Sequence, residues 1–413
     1  MRFLFAVPDM AGNSPPILEV ARRLAARGHS VRMLAAASLE RQVEERGCIW
    51  VPFQRAPDDA GASAASAKHS GRAEFSRIRD KLMFGPALDF ARDLLDELDA
   101  NPADAAAIDT MIPGALVGAE AAGIPSASLI HSVYMFPAPG LPAFGAGLFP
   151  PRTWLGRTRD RLLSAALRRV LGSGLGPLNR ARAELGLEPL QSVLDGTCRA
   201  DRLLVMTSSA FDFEAEELPR NVRYVGPQLE PPSASRWESP WPASDARPLV
   251  LVGLSTDQMG QAALLARVIR ALGELELRAL VTTGPSIDPA RFQPAANVVV
   301  RSFVPHADVM PRADLVITHA GHGTVIRALA AGAPLVCIPL GRDQYDVAAR
   351  VVWRGAGLKL AAKARMPALK RAIASALDND GFRDASRRIA QAISRETAED
   401  KAVRELEALA SNR

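Results

Sequence analysis

The 413-residue sequence predicts an α/β protein built from two doubly wound, Rossmann-like domains. Short apolar runs alternate with amphipathic helical runs, a pattern typical of parallel βαβ units with helices on both faces of a sheet. A Pro- and Ser-rich stretch at 225–248 interrupts this alternation and is the best linker candidate. We therefore predict an N-terminal domain at 1–224, a linker at 225–248, a C-terminal domain at 249–383 and a helical tail at 384–413.

The N-terminal domain is predicted to begin with a strand, "RFLFAV", and the helix "PILEVARRLAARGH", which Gly28 ends as a C-cap. A second strand, helix and strand follow in "SVRMLA", "ASLERQVEERG" and "IWVPF", with Gly47 after the helix. Farther along, "AAAID", "ALVGAEAAG" and "PSASLIH" repeat the same order. Two segments, 55–75 and 131–154, fit no element. The second is rich in Phe, Pro and Gly, and it either lines a binding cleft or packs on its own domain.

The alternation restarts after the linker. "LVLVGLS", "LRALVTTG", "NVVVRSFV", "DLVITH" and "LVCIPL" are predicted as buried strands, with the helix "QAALLARVIRALGEL" after the first. In open α/β sheets, ligands bind beyond the carboxyl ends of the strands. The residues at these ends are therefore candidates for a binding site: Ser255 and Thr256, Thr283 and Gly284, Phe303 to His306, His319 to Thr324, and Asp343 and Gln344.

The overall charge is mildly basic, with a net charge of +5 and a pI of about 9.4. The arginines are spread along the chain among 45 acidic residues, and aromatic residues make up only 5%. Since no compact basic patch with interleaved aromatics occurs, we predict no nucleic-acid partner.

Membrane and extracellular classes are not favoured by the sequence. No apolar stretch approaches the roughly 20 residues of a membrane span, and the first apolar run stops at Pro8, too early for a signal peptide. Cys48, Cys198 and Cys337 are widely spaced, which supports neither a disulfide framework nor a zinc site. We therefore expect a cytoplasmic protein with no integral membrane partner. The basic pI would suit a transferase acting on lipids at a membrane surface, but we find no basic amphipathic insertion.

The turn "HAGHGT" is the most informative short motif. It follows a predicted buried strand and leads into the helix "VIRALAAG". Gly321 and Gly323 permit close backbone approach, and the N–H groups and dipole of a helix start attract anions. The imidazole of His319 can donate to a phosphate. The glycine spacing matches neither a dinucleotide fingerprint nor a P-loop. We interpret the turn as a phosphate site rather than a plain tight turn.

The run "THAGHGTVIRALAAGAPLVCIPLGRDQYDVAARV" at 318–351 resembles the C-terminal signature of the family-1 glycosyltransferases. The segments at 221–227 and 301–324 match the same pattern, as do "LSTD" and "VTTGP". The likeness is greatest to the bacterial branch that glycosylates macrolides and aromatic polyketides. It covers the whole chain and implies the GT-B fold: two Rossmann-like domains facing across a cleft, with a C-terminal helix packing back toward the N-terminal domain.

The resemblance also implies a donor site in the C-terminal domain for a UDP- or dTDP-linked sugar, with no other cofactor and no metal. The diphosphate would meet His319, Gly321, Gly323 and Thr324, with Ser255 or Thr256 approaching from the first strand of that domain. Phe303 would flank the base and the backbone of Val304 would contact its edge, and Gly284 would also belong to the donor site. Asp343 and Gln344 would bind the sugar hydroxyls; the competing interpretation of Asp343 is a helix N-cap. His322 is expected to point to solvent.

Two positions depart from the family pattern. Arg327 stands where a Glu usually binds the ribose, so either the ribose contact differs or the arginine faces phosphate. Asn13 stands where the family carries its catalytic histidine, while Asp109 matches the carboxylate that orients this histidine. Asn cannot accept a proton near neutral pH, and general-base catalysis contributes about 10²–10⁴-fold.

Three hypotheses address the missing base. Asp109 acts as the base, directly or through a water held by Asn13. Alternatively, His131 or Asp9 substitutes. In the third hypothesis the acceptor is acidic or activated enough to need no strong base.

The function predicted from the sequence is inverting glycosyl transfer from a nucleotide diphosphate sugar to a small, largely apolar natural product. The alternative is a non-catalytic or auxiliary protein that binds sugar nucleotides and has lost its base. A monomer or a homodimer is expected.

Overall fold

The computed structural model describes residues 1–10, 12–57, 77–231, 237–254 and 261–411. In this part of the chain two parallel sheets form. The first has the strand order β3-β2-β1-β4-β5-β6-β7 and the second the order β10-β9-β8-β11-β12-β13. The strands are β1 Arg2–Val7, β2 Ser30–Ala35, β3 Ile49–Pro52, β4 Ala105–Asp109, β5 Ser126–Ile130, β6 Arg202–Val205, β7 Val222–Tyr224, β8 Leu249–Gly253, β9 Arg278–Thr282, β10 Val298–Arg301, β11 Leu315–Thr318, β12 Leu335–Cys337 and β13 Gly357–Lys359.

The α-helices of the described residues lie between and after these strands. They are α1 Ser14–Ala26, α2 Glu40–Glu44, α3 Ala87–Ala100, α4 Pro113–Ala121, α5 Trp154–Leu171, α6 Leu175–Glu184, α7 Val193–Cys198, α8 Ala262–Gly273, α9 His306–Val309, α10 His322–Ala330, α11 Gln344–Trp353, α12 Met366–Asp378, α13 Asp380–Ala398 and α14 Lys401–Ser411. Short 3₁₀ turns occur at Ala37–Leu39, Gly172–Gly174, Pro289–Arg291 and Met310–Arg312, and a π-helical turn at Ile78–Met83.

Each sheet is buried on both faces, as the continuous apolar strands require. In β1, Phe3 and Phe5 pack into one apolar cluster with α1, while Leu4 and Ala6 pack into another with α3 and α4. In β8, Leu251 and Val252 likewise belong to separate clusters on opposite faces. The predicted α/β class with two doubly wound parallel sheets is confirmed.

The tail consists of two helices rather than one continuous helix. Asp400 has a φ of 49°, which interrupts the helix between α13 and α14. Ile389 of α13 packs in a cluster with residues of the second sheet. Val403 and Leu406 of α14 pack with β1 and α1. The C-terminal helix therefore crosses back to the first sheet.

Helix α5 was not anticipated from the sequence. Its buried residues are Asp160 and Ser164, whereas Trp154, Leu155 and Leu162 are exposed. A helix that packs on a core buries its apolar side, whereas α5 buries polar residues and exposes apolar ones. The helix also carries five arginines against one aspartate. The expectation that the chain has no basic amphipathic segment is therefore wrong. None of the described helices has the length and apolar character needed to cross a bilayer.

Candidate active site

A cleft of about 1540 Å³ lies between the carboxyl ends of the two sheets. Residues of both sheets and of the segment between them contribute to its walls. All the predicted donor-site residues that the structure describes line it: Gly284, Phe303, Val304, His319, Gly321, Gly323, Thr324, Asp343 and Gln344. Ser255 and Thr256 lie outside the described residues.

The turn before α10 is built around His319. This residue follows β11, and Ala320 has a φ of 68°, a left-handed conformation that is uncommon outside glycine. A Cβ on Gly321 would lie 2.5 Å from Nε2 of His319. The imidazole therefore packs directly over the backbone of Gly321, and only glycine leaves room for it. Gly323 has open space around it on the cleft wall.

His322 does not point to solvent, so this expectation is wrong. Its Nε2 lies 2.8 Å from the hydroxyl of Thr207, which follows β6 of the first sheet. Burial is the largest cause that lowers the pKa of His322, to about 4, and nearby His131 contributes in the same direction. His322 is therefore neutral at physiological pH, and its contact with Thr207 joins the two lobes.

Asp343 and Gln344 have well-defined partners. The hydroxyl of Ser132, which follows β5, donates to Oδ2 of Asp343 at 2.8 Å. Oε1 of Gln344 accepts from the backbone N–H groups of Leu340 and Gly341, at 2.7 and 3.1 Å, and this bonding fixes the loop before α11. Asp343 occupies the N-cap position of α11 but makes no side-chain cap hydrogen bond. The N-cap interpretation of its carboxylate is thus wrong.

The wall beside β9 and β10 combines an exposed aromatic ring with a buried histidine. Phe303 is 77% exposed, while Val304 is buried. His306 approaches the hydroxyl of Thr282 at 3.0 Å, and burial lowers its pKa to about 4. A Cβ on Gly253 would lie 2.6 Å from the His306 ring, so β8 must end in glycine there. His306 is one of the strand-end candidates, but its packing against Gly253 has no local signal in the sequence, because the two residues are far apart along the chain.

Arg327 does not stand alone in the cleft. Its Nη2 lies 3.0 Å from Oε2 of Glu230, and the other carboxylate oxygen lies 2.6 Å from Nη2 of Arg46. Glu230 comes from the predicted linker, and all three side chains line the cleft. The cleft therefore has a carboxylate, that of Glu230, beside Arg327, and the family pattern alone gives no sign of it.

The candidate catalytic residues lie on the opposite wall. Asp109, at the end of β4, is completely buried, and its Oδ1 accepts from the N–H of Met111 at 2.9 Å. Nδ1 of His131 lies 3.8 Å from the same Oδ1. His131 lines the cleft and Asp109 does not, so the two form a pair in which only the imidazole faces the open space.

Asn13 and Asp9 also lie on this wall. Asn13 is in the N-cap position of α1 without a side-chain cap, and its amide lies 3.9 Å from the sulfur of Met10. Asp9 accepts a hydrogen bond of 2.5 Å from Ser38. Asn13 therefore stands at the cleft as the sequence predicts, with no strong polar partner in the described part of the chain.

The rest of this lobe's wall is apolar. The segment 131–154 forms part of it, which supports the cleft-lining interpretation. The apolar side chains include Met10, Met111, Met135, Phe136, Phe144 and Met206. Asp346 of α11 holds this segment through the N–H groups of Gly145 and Gly147, at 2.8 and 3.3 Å. Burial raises the pKa of Asp346 to about 6.

Among the described residues no group of three metal-ligating side chains occurs. The acidic run Asp378-Asn379-Asp380, which formally imitates a metal motif, is a helix junction. The side chain of Asn379 caps α13 by accepting from the N–H of Gly381 at 2.9 Å.

Comparison with known proteins decides the family. Residues 266–409 match the family described as erythromycin biosynthesis protein CIII-like, C-terminal domain. The chain is 32% identical over 396 residues to 4'-demethylrebeccamycin synthase of Lentzea aerocolonigenes, covering 92% of this chain and 93% of the relative. The chain belongs to the family-1 glycosyltransferases of natural-product pathways. This glycosyltransferase is also 27% identical over 393 residues to zeaxanthin glucosyltransferase of Pseudescherichia vulneris, covering 92% and 90% of the two chains.

Solved structures share the GT-B fold of this glycosyltransferase. The glycosyltransferase of kitacinnamycin superposes with a TM-score of 0.79 at 20% identity, over 99% of this chain and 98% of the other. CalG4, the calicheamicin glycosyltransferase, superposes with a TM-score of 0.73 at 20% identity, over 99% and 97%.

Proposed function

We propose that this glycosyltransferase moves a sugar, with inversion, from a UDP- or dTDP-linked donor to a small, largely apolar natural product. The observation that carries the proposal is the cleft between the lobes. One wall holds the nine described residues that were predicted for the donor site, and the other holds the His131–Asp109 pair amid apolar side chains.

In this proposal the diphosphate binds at the start of α10. His319 donates to a phosphate oxygen, and the first N–H groups of the helix and its dipole contribute further. Thr324 adds a hydroxyl donor. Phe303, whose ring is largely exposed, covers the base. Asp343 and Gln344 face the sugar.

The ribose hydroxyls are accepted by Glu230 in place of the family's helix carboxylate. Arg46 and Arg327 each contact a different oxygen of Glu230. An ionised carboxylate offers about four lone-pair sites, so the two guanidinium contacts leave capacity for hydroxyl donors. The two arginines also hold the carboxylate in place.

We propose His131 as the general base. Of the hypotheses drawn from the sequence, the buried position of Asp109 argues against its acting directly, and Asp9 is held by Ser38, whereas Nδ1 of His131 lies beside the Asp109 carboxylate. Nε2 of His131 takes the proton of the acceptor as the acceptor atom bonds to the anomeric carbon. The bond from this carbon to the phosphate oxygen breaks, and the nucleoside diphosphate leaves with the electron pair.

The chain's own groups can stabilise both charges that develop. Asp109 lies beside Nδ1 and stabilises the imidazolium of His131, while the start of α10 and His319 stabilise the leaving diphosphate. Base and leaving group lie on opposite walls, which supports in-line attack and inversion. With these donors at the leaving group, we propose that the transfer requires no metal.

The apolar wall supports an acceptor of similar character. Met10, Met111, Met135 and Met206 are flexible and polarisable, and methionine adapts to irregular or aromatic ligands. Rebeccamycin and zeaxanthin appear in the names of two relatives of the chain. We extend this class of acceptor, an apolar natural product, to this protein.

The decisive test is mass spectrometry of reactions that combine UDP- and dTDP-sugars with a panel of apolar phenolic and heteroaromatic acceptors. The proposal predicts a product heavier by one hexosyl or deoxyhexosyl unit, formed equally well with a chelator present. If donor binds but is neither transferred nor hydrolysed, the alternative of a non-catalytic sugar-nucleotide-binding protein is favoured, as Asn13 suggested. A product with retained anomeric configuration would contradict inversion.

A further inference from the structure

Exposed apolar side chains are concentrated on one part of the surface. Ten large hydrophobic residues of the described chain are exposed, and six of them lie between residues 149 and 170. Five belong to α5: Trp154, Leu155, Leu162, Leu163 and Val170. We call these five the α5 outer face. Trp154, Leu155 and Leu162 are 72%, 61% and 67% exposed, which is uncommon for side chains of this size on a monomer surface.

The polarity of α5 is inverted with respect to the protein interior. Its side toward the domain carries the buried residues Asp160 and Ser164. Leu155 and Leu162 are separated by seven residues, or about two turns, and therefore lie on the same side of the helix. Packing within the domain accounts for the buried side of α5. It does not account for the large apolar side chains that the outer face exposes.

The same helix carries an excess of positive charge. Its sequence contains five arginines and one aspartate. Arg159 pairs with Asp160, and Arg157 pairs with Glu216. Arg161 and Arg169 are exposed and have no carboxylate partner among the described residues. The outer face is thus an apolar surface with unpaired positive charges beside it.

We propose that the α5 outer face docks on an anionic lipid bilayer. A helix that lies in the membrane interface has Trp and Leu on one side and Arg or Lys beside them. Trp is favoured at the headgroup level, and each basic side chain adds attraction to anionic lipids. A second copy of this chain fits the face less well. A two-fold interface through this face would place an excess of arginines on both sides of the same contact.

The position of α5 connects this surface to the cleft. Leu167 and Leu171 of the same helix line the cleft. An apolar acceptor dissolved in the bilayer would therefore meet the mouth of the cleft close to the docked helix. This route for the acceptor rests on the proposed function, whereas the docking itself is independent of it.

The test is co-sedimentation of the full chain with vesicles of phosphatidylcholine alone or mixed with about one-third phosphatidylglycerol. We expect binding to the mixed vesicles, at least tenfold weaker binding to phosphatidylcholine alone, and loss of binding as salt increases. The triple variant Trp154→Ala/Leu155→Ala/Leu162→Ala and the double variant Arg161→Glu/Arg169→Glu should each bind at least tenfold more weakly. All five side chains are exposed, so circular dichroism should show an intact fold.

Ile49→Ala and Arg41→Glu are the matched controls, because both residues are exposed and lie outside α5. They should bind vesicles like the wild type. Absence of vesicle binding at low salt, or equal binding by the triple variant, would overturn the proposal. A concentration-dependent dimer that the triple variant abolishes, without vesicle binding by the wild type, would instead identify the face as a contact between copies. Because no donor is present, the outcome is independent of whether transfer occurs as proposed.

Discussion

Nδ1 of His131 lies 3.8 Å from Oδ1 of Asp109, and neither this nitrogen nor Oδ2 of the carboxylate has a hydrogen-bonding partner in the described part of the structure. A buried polar atom without a partner is costly and is usually found where function requires it. A small rotation of the ring would bring the pair into hydrogen-bonding contact. Catalytic contacts are often long in unliganded proteins and shorten when substrate binds.

We expect His131→Gln to lower kcat by about 10²–10⁴-fold, the range that general-base catalysis contributes. Gln retains hydrogen bonding but cannot accept the proton. UDP affinity, measured by calorimetry, should change less than about threefold, because the residue faces the acceptor side. The matched control is His29→Gln, whose imidazole contacts Glu407 far from the cleft. Retention of normal kcat would favour an acceptor that needs no base.

Asp109→Asn should lower kcat by at least about tenfold, since Asn cannot stabilise an imidazolium as a carboxylate does. The same steady-state assay checks it. In the double variant with His131→Gln, the Asp109 substitution should have little further effect, because Asp109 acts through the imidazole. Additive losses of kcat would show that the two residues act independently. A near-normal kcat for Asp109→Asn would show that Asp109 has no role in catalysis.

His322 gives a pH-dependent contribution to stability. Burial lowers its pKa to about 4 in the folded protein, below its ordinary value of about 6.5. The unfolded chain therefore binds a proton below pH 6.5 that the folded chain does not, and stability falls as the pH decreases from 6.5 toward 4. Between pH 8 and pH 5, the free energy of unfolding should fall by about 2 kcal/mol more for the wild type than for His322→Gln, which lacks the imidazole. Chemical denaturation at the two pH values measures this difference. Equal losses would contradict burial of a neutral imidazole.

Gly321→Ala should weaken UDP binding about as much as removal of the His319 side chain. The new Cβ would lie 2.5 Å from Nε2 and must displace the ring. In a double-mutant cycle with His319→Ala, the second substitution should add almost nothing, since both act on the same imidazole. Full additivity would show that the glycine acts in another way.

Glu230→Gln distinguishes the two roles that position 327 can have. If Glu230 accepts the ribose hydroxyls, UDP should bind about three- to tenfold more weakly while inorganic pyrophosphate does not. If Arg46 and Arg327 face phosphate instead, removing the negative charge of Glu230 should strengthen the binding of both UDP and pyrophosphate. Calorimetric titration of both ligands measures this, and Glu274→Gln, which disrupts only a surface pair with Lys370, is the control.

The strands and the donor wall could be predicted from the sequence because their signals are local. "RFLFAV", "SVRMLA" and "AAAID" coincide with β1, β2 and β4 as the structure has them. The residues after parallel strands share one edge of a sheet, so their convergence on a cleft follows from topology alone.

The features that could not be predicted from the sequence depend on contacts between residues far apart along the chain or on how an element is oriented in the fold. The orientation of helix α5 escaped prediction because an amphipathic pattern does not show which side of a helix packs on the domain, and here the buried side carries Asp160 and Ser164. The partner of His322 is Thr207, more than a hundred residues away, and no sequence pattern links them. Glu230 and Arg327 meet only because the linker returns to the cleft.

The most direct test of the account is calorimetric titration of UDP and dTDP into the wild type and His319→Ala. We expect at least one of the two nucleotides to bind the wild type, and to bind the variant at least about tenfold more weakly, because a phosphate loses a hydrogen-bond donor at the start of α10. His29→Gln should bind like the wild type. Equal affinity of wild type and His319→Ala would contradict a diphosphate site at this helix.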